Sequence, residues 1–217
     1  MTEAAPLLAD HVEHVIWDWN GTLLDDHAHC VTVINAMLRD EGLPETDAAR
    51  ARALFDFPIV TFYERLGFSL GGGSWERLAV RFIAEYQGGV DGCGLRAHVR
   101  AALRALAARG RTSSILSAAH RASIEPLLDR HGIREYFTDV VALDNHYAGG
   151  KVEVGVAWMR ARGLDPARTL LVGDTAHDHE VASAMGVGCV LVAGGHHARD
   201  RLEACGCPVV DGMDELV

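Results

Sequence analysis

The 217-residue chain has almost no lysine: of its 20 basic residues, all are arginine except Lys151. Its 30 acidic residues leave a formal charge of −10 with no basic block, which argues against a protein that grips nucleic acid or an anionic membrane through charge. A small phosphorylated molecule stays within reach, because a local patch can hold a compact anion. No run of about 18 apolar residues occurs, and the stretch from Met1 to His14 carries acids and histidines rather than a basic region followed by an apolar one. Neither a membrane span nor a secretory leader is expected. Paired cysteines are missing too. Cys30, Cys93, Cys189, Cys205 and Cys207 are odd in number and scattered, which fits reduced thiols rather than a disulfide framework, and Cys205-Gly206-Cys207 alone lacks the partners of a zinc site. These absences leave a soluble, cytoplasmic protein. At 49% hydrophobic and 23% charged residues, it has the composition of a globular chain able to bury one good core.

What is present is a change of pattern along the chain. His14-Val15-Ile16-Trp17 is a short apolar run that stops at Asp18-Trp19-Asn20-Gly21-Thr22, as a buried strand ending in a polar loop would. From Asp26 to Glu41 the apolar residues Val31, Ile34, Met37 and Leu38 recur at helical steps, and further helical stretches follow near 46–55, 59–66 and 74–86. After Gly92-Cys93-Gly94 the pattern becomes alternation: helices at about 96–109, 124–131, 152–162 and 180–185, with strands at 112–116, 139–142, 169–172 and 189–192. Alternation of this kind implies an α/β fold with a Rossmann-like, mostly parallel sheet core. An all-helical block, residues 26–92, interrupts a core formed by residues 1–25 and 93–217.

Ligands of open α/β sheets bind beyond the carboxyl ends of strands. Those ends carry Asp18, Ser117 and Asp174, the last within Gly173-Asp174-Thr175-Ala176-His177-Asp178, and Lys151 follows Gly149-Gly150 at the start of a helix. A carboxylate, a hydroxyl, an ammonium and two more carboxylates are what phosphoryl transfer through an aspartyl-phosphate requires. A carboxylate attacking a phosphate dianion is opposed by charge, so a divalent cation held by oxygen ligands must stand between them. Asp18 and Asp174 could hold it, with Asp178 in support. Lys151 would neutralise the phosphoryl oxygens, and Ser117 with the neighbouring amide of Ala118 would hydrogen-bond them.

In these motifs the chain resembles the haloacid dehalogenase-like superfamily of phosphohydrolases. The family's D-x-D-G-T motif corresponds to 18–22, its strand ending in Ser or Thr to 113–117, its isolated lysine to Lys151, and its G-D-[ST]-x-x-D motif to 173–178. All four occur in order. The resemblance implies that the helical insert is a cap closing over small phosphorylated metabolites, as in phosphoglycolate phosphatase-like enzymes, and that Mg2+ is bound by Asp18, the backbone carbonyl of Asn20, Asp174 and Asp178. Related phosphonoacetaldehyde hydrolases need a cap lysine for an imine, and residues 26–92 contain none.

One position departs from the family. Residue 20 is Asn where most of these phosphatases carry the Asp that protonates the leaving group and activates water, and an amide cannot do general acid-base work. Three readings stand: a phosphomonoester hydrolase with a good leaving group or a substitute acid such as His27, His29, His120, His177 or His179; a catalytically weak phosphate-binding or regulatory protein; or, less favoured, a phosphotransferase or mutase. Among insert residues that could face the substrate, Arg65 is a candidate partner for a substrate carboxylate.

Overall fold

Strand β1 (His14–Trp17) is buried along its whole length and occupies the middle of a sheet, which is why its sequence is apolar without alternation. The protein was analysed as a computed structural model, which describes residues 8–142 and 150–217. A short strand, β2 (Leu24–Asp25), leads into four helices: α1 (His27–Asp40), α2 (Ala48–Leu54), α3 (Ile59–Leu66) and α4 (Ser74–Gly89). The chain returns through β3 (Gly94–Leu95), which pairs antiparallel with β2. The Asp47 side chain caps α2 by accepting from the Arg50 amide, and α3 stops at Gly67 in the left-handed conformation.

The remaining elements alternate: α5 (Val99–Ala108), β4 (Thr112–Ser117), α6 (Arg121–Arg130), β5 (Phe137–Ala142), α7 (Lys151–Arg162), β6 (Thr169–Gly173), α8 (Ala176–Met185), β7 (Gly188–Val192), α9 (Arg199–Glu203) and β8 (Val209–Val210). The six-stranded sheet has the order β5-β4-β1-β6-β7-β8, and every neighbouring pair is parallel. The chain builds outward from β1 on one side, then crosses to the other, so a crevice opens beside β1 at the carboxyl ends of the strands. Register makes those ends level: Trp17 lies opposite both Ile115 and Val172.

Apolar clusters cover both faces of the sheet. One joins Val15, Trp17, Ile115 and Val172 to α5 and α6; the other joins Ile16, Leu116 and Leu171 to α7 and α8. The four-helix insert has a separate core of Val33, Ile34, Met37, Leu38, Phe62, Tyr63 and Leu66. The α/β architecture agrees with the sequence expectation, with differences at the edges. Helix α6 begins at Arg121 and runs through Pro126, where the polar opening turn concealed its start. Helix α8 begins at Ala176, because Thr175 and Asp178 form a reciprocal capping box. Strands β2, β3 and β8 have only two residues each and leave no periodic signal.

Candidate active site

Asp18 directly follows β1, and its amide donates to the Val172 carbonyl of β6 (2.9 Å), which pins the loop to the sheet. Lys151 opens α7 and is 5% exposed; its Nζ donates to Asp18 Oδ1 (2.6 Å) and Asp178 Oδ1 (2.5 Å). The other Asp178 oxygen accepts from the Thr175 amide and hydroxyl at 3.0 and 2.7 Å. Asp178 therefore caps α8 and orients the lysine at once. Asp174, fully buried after β6, accepts from Thr22 Oγ1 (2.7 Å) and from the His196 amide (2.6 Å). A Cβ at either Gly21 or Gly195 would collide with this carboxylate, so both glycines permit the close approach. Gly21 also has φ +72°, the left-handed region that glycine tolerates.

Asp18, Asp174 and Asp178 each place a carboxylate oxygen within 4.8 Å of the others. Burial raises the Asp18 carboxyl to about 7; Lys151 opposes the shift, and the charges of Asp178 and Asp174 add to it. Burial by itself would lower the Lys151 ammonium, yet the carboxylates of Asp178 and Asp18 hold it above the usual lysine range. Burial likewise raises Asp174. Three carboxylates against one ammonium leave excess negative charge on hard oxygen donors, and that set fits a divalent cation such as Mg2+.

Ser117, 2% exposed at the end of β4, accepts from the Ala119 amide (3.1 Å), and Ala118 lies on the same cleft. Asn20 Nδ2 donates to Asp26 Oδ2 (2.7 Å) and to the Tyr86 hydroxyl (2.8 Å), and that hydroxyl donates in turn to Asp26 Oδ2 (2.8 Å). Asp26 Oδ1 accepts from the Gly21 amide and stands 3.2 Å from His196 Nε2. Although burial opposes it, the contacts with His196, Asn20 and Tyr86 hold the Asp26 carboxyl far below the usual range. Burial pulls the His196 imidazole down, but its bond to Asp26 and the surrounding carboxylates bring it to about 9.

The cleft brings together Asp18, Asn20, Ser117, Ala118, Lys151 and Asp178, and Asp174 lies beneath, sharing the carboxylate cluster. Gly149 lies outside the described residues. His27, His120 and His177 also reach the cleft, whereas His29 is bound to the Tyr86 carbonyl (2.8 Å). His177 pairs with Glu180 at 2.9 Å, and the ring of Phe57 lies against it. Arg65 points elsewhere, donating to the Leu54 carbonyl (3.0 Å) and to Asp56 (2.9 Å). Sequence reasoning gave no role to Thr22, Asp26, Tyr86 or His196. Asp26 does precede α1 but makes no side-chain cap bond. His196 follows β7 and could have been found by the same strand-end argument that selected Asp18 and Asp174.

Above this floor, helices of the insert form a roof, and the cavity between them has a volume of about 650 Å³. Among the described residues no helix is long and apolar enough to cross a membrane.

A family model described as haloacid dehalogenase-like hydrolase matches residues 15–192. The "Probable phosphatase IndB" of Dickeya dadantii is 30% identical over 94% of this chain and 91% of its own length. A phosphoglycolate phosphatase of Synechococcus elongatus is 29% identical over 91% of each chain. A solved haloacid dehalogenase-like family hydrolase from Streptococcus pneumoniae superposes with a TM-score of 0.83 over 96% of this chain and 98% of that one, at 16% identity.

Proposed function

The chain belongs to the haloacid dehalogenase-like hydrolase family, and from that premise we propose that it hydrolyses phosphomonoesters of small metabolites with Asp18 as nucleophile. The observation that carries this reading is the Lys151 ammonium held between Asp18 and Asp178, with Asp174 in the same carboxylate cluster. An Asp18 oxygen attacks phosphorus, the P–O bond to the organic group breaks, and the departing oxygen takes a proton. Water then attacks the aspartyl-phosphate, releasing inorganic phosphate and returning Asp18 to a free carboxylate. Lys151 offsets charge on the phosphoryl oxygens, while Ser117 Oγ and the Ala118 amide hold them in place.

Asp18, Asp174 and the Asn20 carbonyl would hold Mg2+, with Asp178 in support. The ion supplies screening of the repulsion between carboxylate and phosphate. Residues 26–92 act as a cap on a core made of residues 1–25 and 93–217, and the antiparallel β2–β3 pair, through which the chain enters and leaves the insert, is the hinge on which that cap turns.

Asn20 is the observation that favours the rival reading, a weakly catalytic phosphate-binding protein, because both amide hydrogens are committed to Asp26 and Tyr86. An aspartate there would face Asp26, and two carboxylates so close retain a proton between them. Phosphate release with Mg2+ from acetyl phosphate and from alkyl phosphates separates the readings. Wild type turns over acetyl phosphate, whose leaving group needs no acid, and Asp18→Asn loses about 10⁴-fold or more. Asn20→Asp gains about 10²- to 10⁴-fold on alkyl esters. Absence of release from every ester by the wild type would refute hydrolysis.

A further inference from the structure

The exposed apolar side chains are concentrated in one place. Among the described residues, the large hydrophobic side chains left exposed are Phe57 (38%), Val80 (67%) and Ile83 (39%), and all three line the cavity above Asp18. Phe55, Phe62 and Trp75 line the same roof. A cavity of about 650 Å³ lies in the range that encloses a whole small organic molecule. A phosphate with a two-carbon tail would fill little of it.

Charge points the same way. Among the described residues of the lining, Lys151 is the one lysine, there is no arginine, and the insert's charged contributions are Asp26, which is bound to the floor, and Glu76. Five arginines of the insert are directed elsewhere: Arg39 to Glu45, Arg52 to the Gly194 and Gly195 carbonyls, Arg65 to Asp56, Arg77 to Ser74, and Arg81 to Asp40 and Glu85. The one raised imidazole among the described lining residues, His196, is paired with Asp26 at 3.2 Å, so a substrate carboxylate or second phosphate under this roof would meet no arginine or lysine of the insert, and burying an unpaired anion is costly. A flat apolar group would instead cover the exposed rings and gain both transfer energy and ring contacts.

We propose that the organic part of the substrate is a bulky, uncharged aromatic body, with the phosphate as its one anionic group. This rests on the phosphomonoesterase reading above and narrows it. Recognition divides accordingly: phosphate is held at the strand ends, and the body is held by Phe57, Ile83 and their neighbours on the insert. The same roof disfavours a two-carbon carboxylated ester as substrate, although a relative at 29% identity bears the name phosphoglycolate phosphatase.

The test uses ligands that differ only in the body. With Mg2+ present, titration calorimetry compares 2-naphthylmethylphosphonate, ethylphosphonate and 3-phosphonopropionate, while phosphate release compares 2-naphthylmethyl phosphate, ethyl phosphate and 2-phosphoglycolate, all esters of primary alcohols. The naphthylmethyl compounds are expected to bind, and to be turned over in kcat/KM, at least tenfold better than either companion, a difference of about 1.4 kcal/mol. Phe57→Ala and Ile83→Glu, at partly exposed positions, should each reduce that preference while keeping the unfolding temperature. Equal affinity across the series, a preference for the carboxylated compounds, or a preference untouched by both substitutions would overturn the inference. Acetyl phosphate distinguishes the two levels: release without any body preference removes this inference alone, and no release from any compound removes the hydrolase reading.

Discussion

Within one cleft the floor contributes Asp18, Asp178 and Lys151, joined by Asp174 of the same carboxylate cluster and all set at strand or helix ends, while the roof contributes Phe55, Phe57, Phe62 and Ile83, carried on and around two helices. Each floor group is fixed by bonds that leave little freedom: Lys151 by two carboxylates, Asp174 by Thr22 and the His196 amide, Asp178 by Thr175. The roof groups are held by dispersion and ring contacts, such as Phe55 against Phe62 at 5.3 Å between centroids, which tolerate rearrangement. The two regions also bury separate apolar cores, one pair of clusters around the sheet and another inside the insert. Under the proposed function, the reacting atoms and the choice of organic body fall to different structural units, so substitutions in one should leave a distinct signature from substitutions in the other.

The largest expected effect is on the floor. Lys151→Arg keeps the charge but places a broad planar guanidinium where a compact ammonium fits between Asp18 and Asp178, and it should lower kcat/KM by about 10²-fold or more. The loss should be equal for aromatic and aliphatic esters; a loss that depends on the body would break the division of labour. Next is a substitution in the roof core. Met37, with no exposed surface, packs in the insert cluster, and Met37→Ala should destabilise it by about 2–5 kcal/mol. Hydrogen exchange should then speed in α1, α3 and α4 while amides of β1, β4 and β6 keep their protection. Equal loss in the sheet would show one cooperative unit in place of two. The smallest effect is a change of selectivity. Ile83→Arg introduces a cation into the roof and should shift the ratio of kcat/KM for 2-phosphoglycolate over 2-naphthylmethyl phosphate upward by about threefold to fivefold. No shift would mean that position 83 does not meet the body.

Much of the core was legible because buried parallel strands are written as continuous apolar runs. His14–Trp17 and Thr169–Gly173 end at the polar residues that form the floor. Helix α3 falls on the expected residues because Pro58 and Gly67 bracket it. Helix α8 was cut short in the sequence reading because its first turn is made of Ala176, His177 and Asp178, which look like loop until the capping box is seen. Asp18, Lys151 and Asp178 could be named in advance, since their residue types at strand and helix ends suit one chemistry. The link of Asn20 to Tyr86 was out of reach, because 66 positions separate them and only the packing of α4 beside the loop after β1 joins them. The orientation of Arg65 was equally invisible, as a short-range partner at Asp56 claims it.

The scarcity of lysine has a practical meaning once Lys151 is placed. The chain carries one side-chain amine, and it lies 5% exposed between two carboxylates. Reductive methylation and other amine-selective reagents will therefore find arginines at the surface but no exposed side-chain amine. Whatever lysine adduct forms marks the moment at which that salt bridge opened to the outside, so a covalent label becomes a counter of cleft opening.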